Sequence, residues 1–135
     1  MGRKTYEAGL NAGITSPYEP LRQFVVSRLT PEIPDSAVHV HRGAAVELVR
    51  QLKGERGKDI WLCGGAKLAA GVFSEIDELI LKINPVLIGS GIPLFDGVVG
   101  TRATTLAEHK VYPSGFVFAR YDLSHRNALV SGEDS

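Results

Sequence analysis

The sequence predicts an α/β fold: a mostly parallel sheet covered by helices, with an antiparallel hairpin at its carboxyl end. Three observations carry this. Helical and strand-like apolar spacings alternate through the first half of the chain. The run "DELILKINPVLIG" (77–89) is almost continuously apolar, as a strand buried on both faces would be. Near the end, two β-rich segments flank "PSG" (113–115), which has the residues of a hairpin turn.

Each element follows from local residues. Lys4 to Leu10 reads as a helix with Tyr6 and Leu10 one turn apart and Gly13 as a stop. After the proline-rich "TSPYEP" (15–20), "QFVVSR" (23–28) is β-branched and aromatic enough for a strand. "LTPEIPDS" (29–36) is a turn segment and "AVHVHR" (37–42) a second strand. From Ala44 the spacing is helical, with Ala45, Leu48, Val49 and Leu52 on one face and Glu47, Arg50, Gln51 and Lys53 on the other; "KGERGK" ends it. "DIWLC" (59–63) reads as a strand with Trp61 in the core, followed by a helix from about Ala66 that turns Leu68, Ala69, Val72 and Phe73 inward. "TTLAEHKVY" (104–112) and "GFVFARYDL" (115–123) are the hairpin strands, and the tail "SGEDS" (131–135) is expected to be disordered. No repeat or linker interrupts residues 1–135, which read as one domain.

Composition narrows the function classes. The apolar fraction of 44% supports a real core at 135 residues. Lys plus Arg equals Asp plus Glu at 15 each, so no overall field draws in nucleic acid. No apolar run reaches the ~20 residues that span a bilayer, and "MGRKTYEAGL" lacks the apolar core of a signal peptide. A single cysteine, Cys63, excludes an internal disulfide framework and reads as a reduced buried thiol. The expectation is a cytoplasmic protein without membrane or nucleic-acid partners.

The glycines point to an anionic ligand. Gly64 and Gly65 lie where a strand hands over to a helix, and a helix start presents unpaired amides and the positive end of the macrodipole. The pair equally fits a tight turn needing positive φ, and it is not the three-glycine dinucleotide fingerprint. "GRKT" (2–5) again sets a glycine beside a helix start, with Arg3, Lys4 and a Thr5 hydroxyl able to cap the helix or bond a phosphate. Ser27 and Arg28 close the strand "QFVVSR" at its carboxyl end, where open α/β sheets bind ligands. Taken singly these are ordinary surface or capping residues. Their agreement is what points to a diphosphate.

Other groups carry less. His39 and His41 share a strand face without a third metal ligand near in sequence, so no metal is expected. "IGSGIPLF" (88–95) follows a strand without opening a helix and reads as a structural connection. Glu19 and Asp96 are loop carboxylates, and His109 and His125 read as surface residues, which leaves no convincing proton donor.

"MGRKTYE", "VVSR", "DIWLCGGAKLA", "DELILKINPVLIGSGIPLF" and the final hairpin, in this order and spacing, resemble the dihydrofolate reductase-like superfamily, within it the branch related to the reductase domain of riboflavin biosynthesis. The resemblance covers nearly the whole chain. It implies an NADPH-dependent reductase on a three-layer α/β fold, often a homodimer, acting on a pterin-like, pyrimidine (5-amino-6-(5-phosphoribosylamino)uracil-like) or other small C=N or C=O compound. It implies that Gly2, Arg3, Lys4 and Thr5 lie along the adenosine diphosphate, that Ser27 and Arg28 contact the adenosine or its 2′-phosphate, and that Gly64, Gly65, Ala66, Lys67 and Leu68 hold the diphosphate.

Two features depart from that family. Riboflavin-pathway reductases typically carry a glutamate just before the paired glycines, where this chain has Cys63, and a thiol cannot make a carboxylate's hydrogen bonds to a ribosylaminouracil. Family members also have some fifty residues ahead of "MGRKTYE", including a central strand and part of the substrate pocket. The expectation is a gap in the sheet that another segment or a partner chain fills. The competing reading is a nonenzymatic nucleotide-binding or oligomerising remnant of the fold.

Overall fold

The computed structural model describes residues 1–29, 33–97 and 100–124. They form two compact units, Met1–Glu75 with Ile92–Val98, and Ile76–Gly91 with Val99–Ser135. The fold is mixed α/β, with one parallel and one antiparallel sheet. Among the described residues no helix is long and apolar enough to cross a membrane.

The first unit contains α1 (Arg3–Asn11), β1 (Gln23–Val26), β2 (Val38–His41), α2 (Ala45–Gly54), α3 (Ala66–Gly71) and a 3₁₀ turn at Phe73–Glu75. β1 and β2 pair in parallel, from Gln23 opposite Val38 to Val26 opposite His41. Tyr6, Val25 and Val38 are the buried cluster, with Met1, Leu10 and Ile33 packed against it. The Tyr6 hydroxyl donates to the Thr15 carbonyl at 2.8 Å, so the buried ring keeps its polar tip satisfied. Gly13, at φ +78°, takes the left-handed turn just after α1.

Helix α2 buries Leu48 and carries Glu47 in its first turn and Lys53 in its last, matching the helix dipole. Its far end is clamped to the 3₁₀ turn: Arg50 Nε donates to Glu75 Oε1 at 2.9 Å and Lys53 Nζ to the Glu75 carbonyl at 2.7 Å. The hydrogen bond from Arg50 holds the Glu75 carboxyl below the usual carboxylate range, against the opposing effect of burial.

The second unit is a three-stranded antiparallel sheet of β3 (Glu78–Ile83), β4 (Thr105–Val111) and β5 (Val117–Asp122), in the order β3-β5-β4. The hairpin closes on "PSG": Gly115 sits at φ +81°, its N–H donates to the Tyr112 carbonyl, and Tyr112 N–H donates to the Phe116 carbonyl, both at 2.9 Å. Arg120 on the central strand reaches Glu78 at 2.9 Å on one side and Glu108 at 3.3 Å on the other, tying the three strands across one face.

Three expectations need correction. The sheet is not mostly parallel, because "DELIL" pairs antiparallel with β5. Nor is that strand buried on both faces. It is an edge of its sheet, with Ile80 52% and Ile83 46% exposed, since apolar content shows that a strand seeks burial but not which neighbour it gets. "DIWLC" forms no strand, and Trp61 is 61% exposed rather than in the core. A strand needs a hydrogen-bonded neighbour, and this segment borders a groove. The tail, His125 and residues 30–32 of "LTPEIPDS" lie outside the described residues.

Two outcomes follow for stability. Replacing Tyr6 by Ala should cost about 3–5 kcal/mol as the cavity term of a buried aromatic, and Tyr6→Phe about 1 kcal/mol for the lost hydrogen bond; urea unfolding measures both. Glu75 has a depressed folded-state pKa, so its stabilisation is present above the ordinary carboxylate value and is lost as pH falls through the folded one. The melting-temperature gap between the native chain and Arg50→Ala should therefore narrow as pH drops from about 7 to about 3; a gap that stays constant would contradict the pairing.

Candidate functional site

Three hydrogen-bonded contacts bring the two glycine-marked helix starts together. The Met1 amino group donates to the Phe24 carbonyl at 2.7 Å, Val26 N–H donates to the Met1 carbonyl at 2.9 Å, and Gly2 N–H donates to the Gly64 carbonyl at 3.4 Å. Gly2 forms a parallel bridge with Val26. The start of α1 is thus held between the end of β1 and the turn into α3.

Glycine has different reasons at these positions. Gly64 sits at φ +49°, which L side chains rarely adopt, and the Gly64–Gly65 peptide is cis. Gly65 caps α3 at φ −106° with no side-chain cap bond, and a Cβ there would meet only Thr5 Oγ1, at 3.8 Å. A Cβ on Gly2 would meet nothing within 4 Å. The positive φ therefore explains the glycine at 64, while Gly65 meets only Thr5 and Gly2 leaves bare backbone beside open space.

Thr5 does not cap α1. The cap is Gly2, whose carbonyl accepts the N–H groups of Thr5 (3.1 Å) and Tyr6 (3.2 Å), and the Thr5 hydroxyl instead faces the glycine pair. Arg3 is taken up by Glu7 one turn on, at 2.6 Å, and Lys4 is exposed on α1. Ala66 opens α3, and its carbonyl accepts the Asp96 N–H at 3.1 Å.

Beside this junction lies a hollow of about 410 Å³ lined by Val26, Ser27, Arg28, Arg42, Lys67 and Leu68 among others. Parallel pairing explains it. β1 and β2 end at the same edge, so the basic residues that follow each strand arrive together, and the first turn of α3 adds Lys67. Lys67 Nζ lies 3.9 Å from the Asp96 carboxylate and remains largely exposed. Ser27 is buried; its N–H donates to the His41 carbonyl at 3.0 Å and its hydroxyl accepts Leu29 N–H at 3.2 Å. Val26 borders both hollow and junction, so the two are neighbours. Sequence reasoning missed Arg42, although its position after "AVHVH" mirrors that of Arg28 after "QFVVS".

On the other side of Val26 runs a groove of about 400 Å³, with Phe24, Leu48, Leu52, Leu62, Cys63 and Val72 as its apolar lining and Arg22, Glu55, Arg56, Lys58 and Asp59 as its charged one. Cys63 is a free, half-buried thiol that donates to the Tyr18 hydroxyl at 2.9 Å. That bond, with burial second, pushes the Tyr18 phenol above its ordinary value. Trp61 meets the Tyr18 ring edge-on, with centroids 4.8 Å apart.

Glu19 and Asp96 are exposed. The His39 ring lies against Phe24, and His41 Nε2 is 3.2 Å from the Ala44 carbonyl. Among the described residues no three His, Cys, Asp or Glu side chains gather as metal ligands.

Residues 18–118 match the model of the RibD C-terminal domain. Two proteins of Bacillus subtilis (strain 168), "Uncharacterized protein YwjB" and "Uncharacterized protein YyaP", are each 36% identical to the chain, over 97 and 98 residues, covering 70% and 71% of it and 56% and 52% of their own length. The chain thus spans about half the length of these curated relatives. Among solved structures, a protein of Shewanella sp. PV-4 named for riboflavin biosynthesis superposes with a TM-score of 0.75 at 24% identity, covering 90% of this chain and 71% of that one. A pyrimidine reductase-like protein of Corynebacterium diphtheriae superposes with a TM-score of 0.55 at 21% identity, covering 77% and 50%. At these identities the likeness to the two structures is one of fold.

Proposed function

The chain belongs to the RibD C-terminal domain family, and on that premise we propose that it is an NADPH-dependent reductase of a small C=N or C=O compound, pyrimidine or pterin-like. One observation carries the reading. The hollow that gathers Ser27, Arg28, Arg42 and Lys67 adjoins the junction where Gly2 leaves bare backbone and Gly65 meets only Thr5.

The residues fit the cofactor in parts. Arginines offer planar, charged donors matched to a phosphate, so Arg28 and Arg42 would take the 2′-phosphate that separates NADPH from NADH, with Ser27 beside them. Gly64, Gly65, Ala66 and Leu68, with Lys67, would hold the diphosphate at the start of α3, and Thr5 Oγ1 lies within reach of the same turn. Gly2 and Lys4 would flank it from α1, whereas Arg3 would first have to leave Glu7. When bound, NADPH supplies the hydride.

The substrate reading rests on the family and on the residue ahead of the glycines. Cys63 with Tyr18 presents a thiol and a phenol there, not a carboxylate, which supports an acceptor other than a ribosylaminouracil. A homodimer belongs to the same reading; the exposed Ile83, Leu106 and Val111 share one face of the antiparallel sheet and are apolar surface that a second copy would cover. The free thiol of Cys63 fits a reducing, cytoplasmic setting.

Thermal unfolding with each nucleotide is the test. NADPH at 100 times its Kd should stabilise the free protein by about 2.7 kcal/mol, and NADH at the same concentration should raise the melting temperature less. Arg28→Ala should cut the NADPH preference about tenfold, the loss of a charge-assisted hydrogen bond. Equal shifts, or none, would overturn the 2′-phosphate assignment. Binding without oxidation by any candidate acceptor would favour the nonenzymatic module.

A further inference from the structure

We propose, on the reductase reading above, that Tyr18 is the acid of the reaction: its phenol gives a proton to the nitrogen of a planar C=N acceptor, and Cys63 positions it. Hydride addition to the carbon leaves that nitrogen with an electron pair that takes up a proton. The carboxylates lining the groove are placed otherwise, since Glu55 pairs with Arg22 and Asp59 is exposed. A phenol, with an ordinary pKa of about 10, carries its proton at neutral pH.

One hydrogen bond sets the placement. The Tyr18 oxygen accepts the Cys63 S–H at 2.9 Å. Cys63 directly precedes Gly64, so this bond ties the hydroxyl to the turn that opens α3, where the diphosphate is assigned. Because the thiol is the donor, the phenol's own proton is left for a ligand. Both side chains line the groove and are half-buried. Trp61 lines it too, edge-on to the Tyr18 ring with centroids 4.8 Å apart and 61% exposed, which leaves aromatic surface there for a flat ring to cover. The step balances with the reduced nicotinamide as hydride donor. The acceptor carbon gains the hydride, the C=N π pair becomes a new N–H bond with the Tyr18 proton, and water returns a proton to the phenolate.

The test uses 7,8-dihydrobiopterin, a flat ring with one reducible C=N bond, as the probe. Its Kd is measured calorimetrically on the NADP⁺-saturated chain, and its turnover by NADPH oxidation. Tyr18→Phe keeps the ring and should keep the native NADP⁺ Kd, while weakening probe binding about tenfold through the lost hydrogen bond and slowing turnover about 100-fold or more. Cys63→Ala should slow turnover less, and should add nothing on top of Tyr18→Phe, because it acts through the phenol. Probe binding and turnover that Tyr18→Phe leaves unchanged would overturn the proposal, as would a native chain that binds NADP⁺ but not the probe. A chain that binds no NADP⁺ would overturn the cofactor reading and this inference with it.

Discussion

The first unit turns on the clasp of Met1 and Gly2 between β1 and Gly64. Its bonds to Phe24, Val26 and Gly64 are backbone bonds, independent of side-chain identity, and they fix where α1 begins. Because α3 begins at the residue after Gly65, the same contacts set the two helix starts side by side. A displacement of the clasp would separate the Thr5 hydroxyl from the glycine pair and α1 from the end of β1. The open space at Gly2 and the groove behind Val26 are two consequences of one arrangement.

Charge and parallel pairing then act together. The chain has no net charge, yet Arg28, Arg42 and Lys67 line one hollow. Two parallel strands end at one edge, and each is followed by an arginine. A local basic patch can therefore arise in a neutral protein. Several carboxylates are used elsewhere, Glu75 on Arg50, Glu7 on Arg3, and Glu78 with Glu108 on Arg120, while Asp96 stands 3.9 Å from Lys67.

How much of this was legible in the sequence depended on the range of the interaction. Local signals read well. The one-turn spacing of Tyr6 and Leu10 with Gly13 beyond, the apolar face holding Leu48, and "PSG" between two β-rich segments each mark an element that forms. The strands "QFVV" and "VHVH" were legible for the same reason. Pairing was not. Nothing in "DELIL" distinguishes a buried parallel strand from an antiparallel edge, and nothing in "DIWLC" shows that its neighbour is a groove. In the candidate site, the glycines and the Ser27–Arg28 strand end stood out as residue types at element boundaries. Arg42 did not, because its place depends on the register of β1 against β2. Of the two roles the sequence left open for Thr5, it does not take the cap that a threonine near a helix start usually makes, and its hydroxyl faces Gly64 and Gly65.

The central claim is that the two helix starts and the basic hollow form a single site. Amide chemical-shift mapping by ¹⁵N NMR during titration with NADP⁺ tests it most directly. The account predicts that Gly2, Thr5, Gly65 and Ala66 move together with Arg28 and Lys67 along one saturation curve. Shifts confined to the β3–β5 sheet, with these amides unmoved, would contradict it.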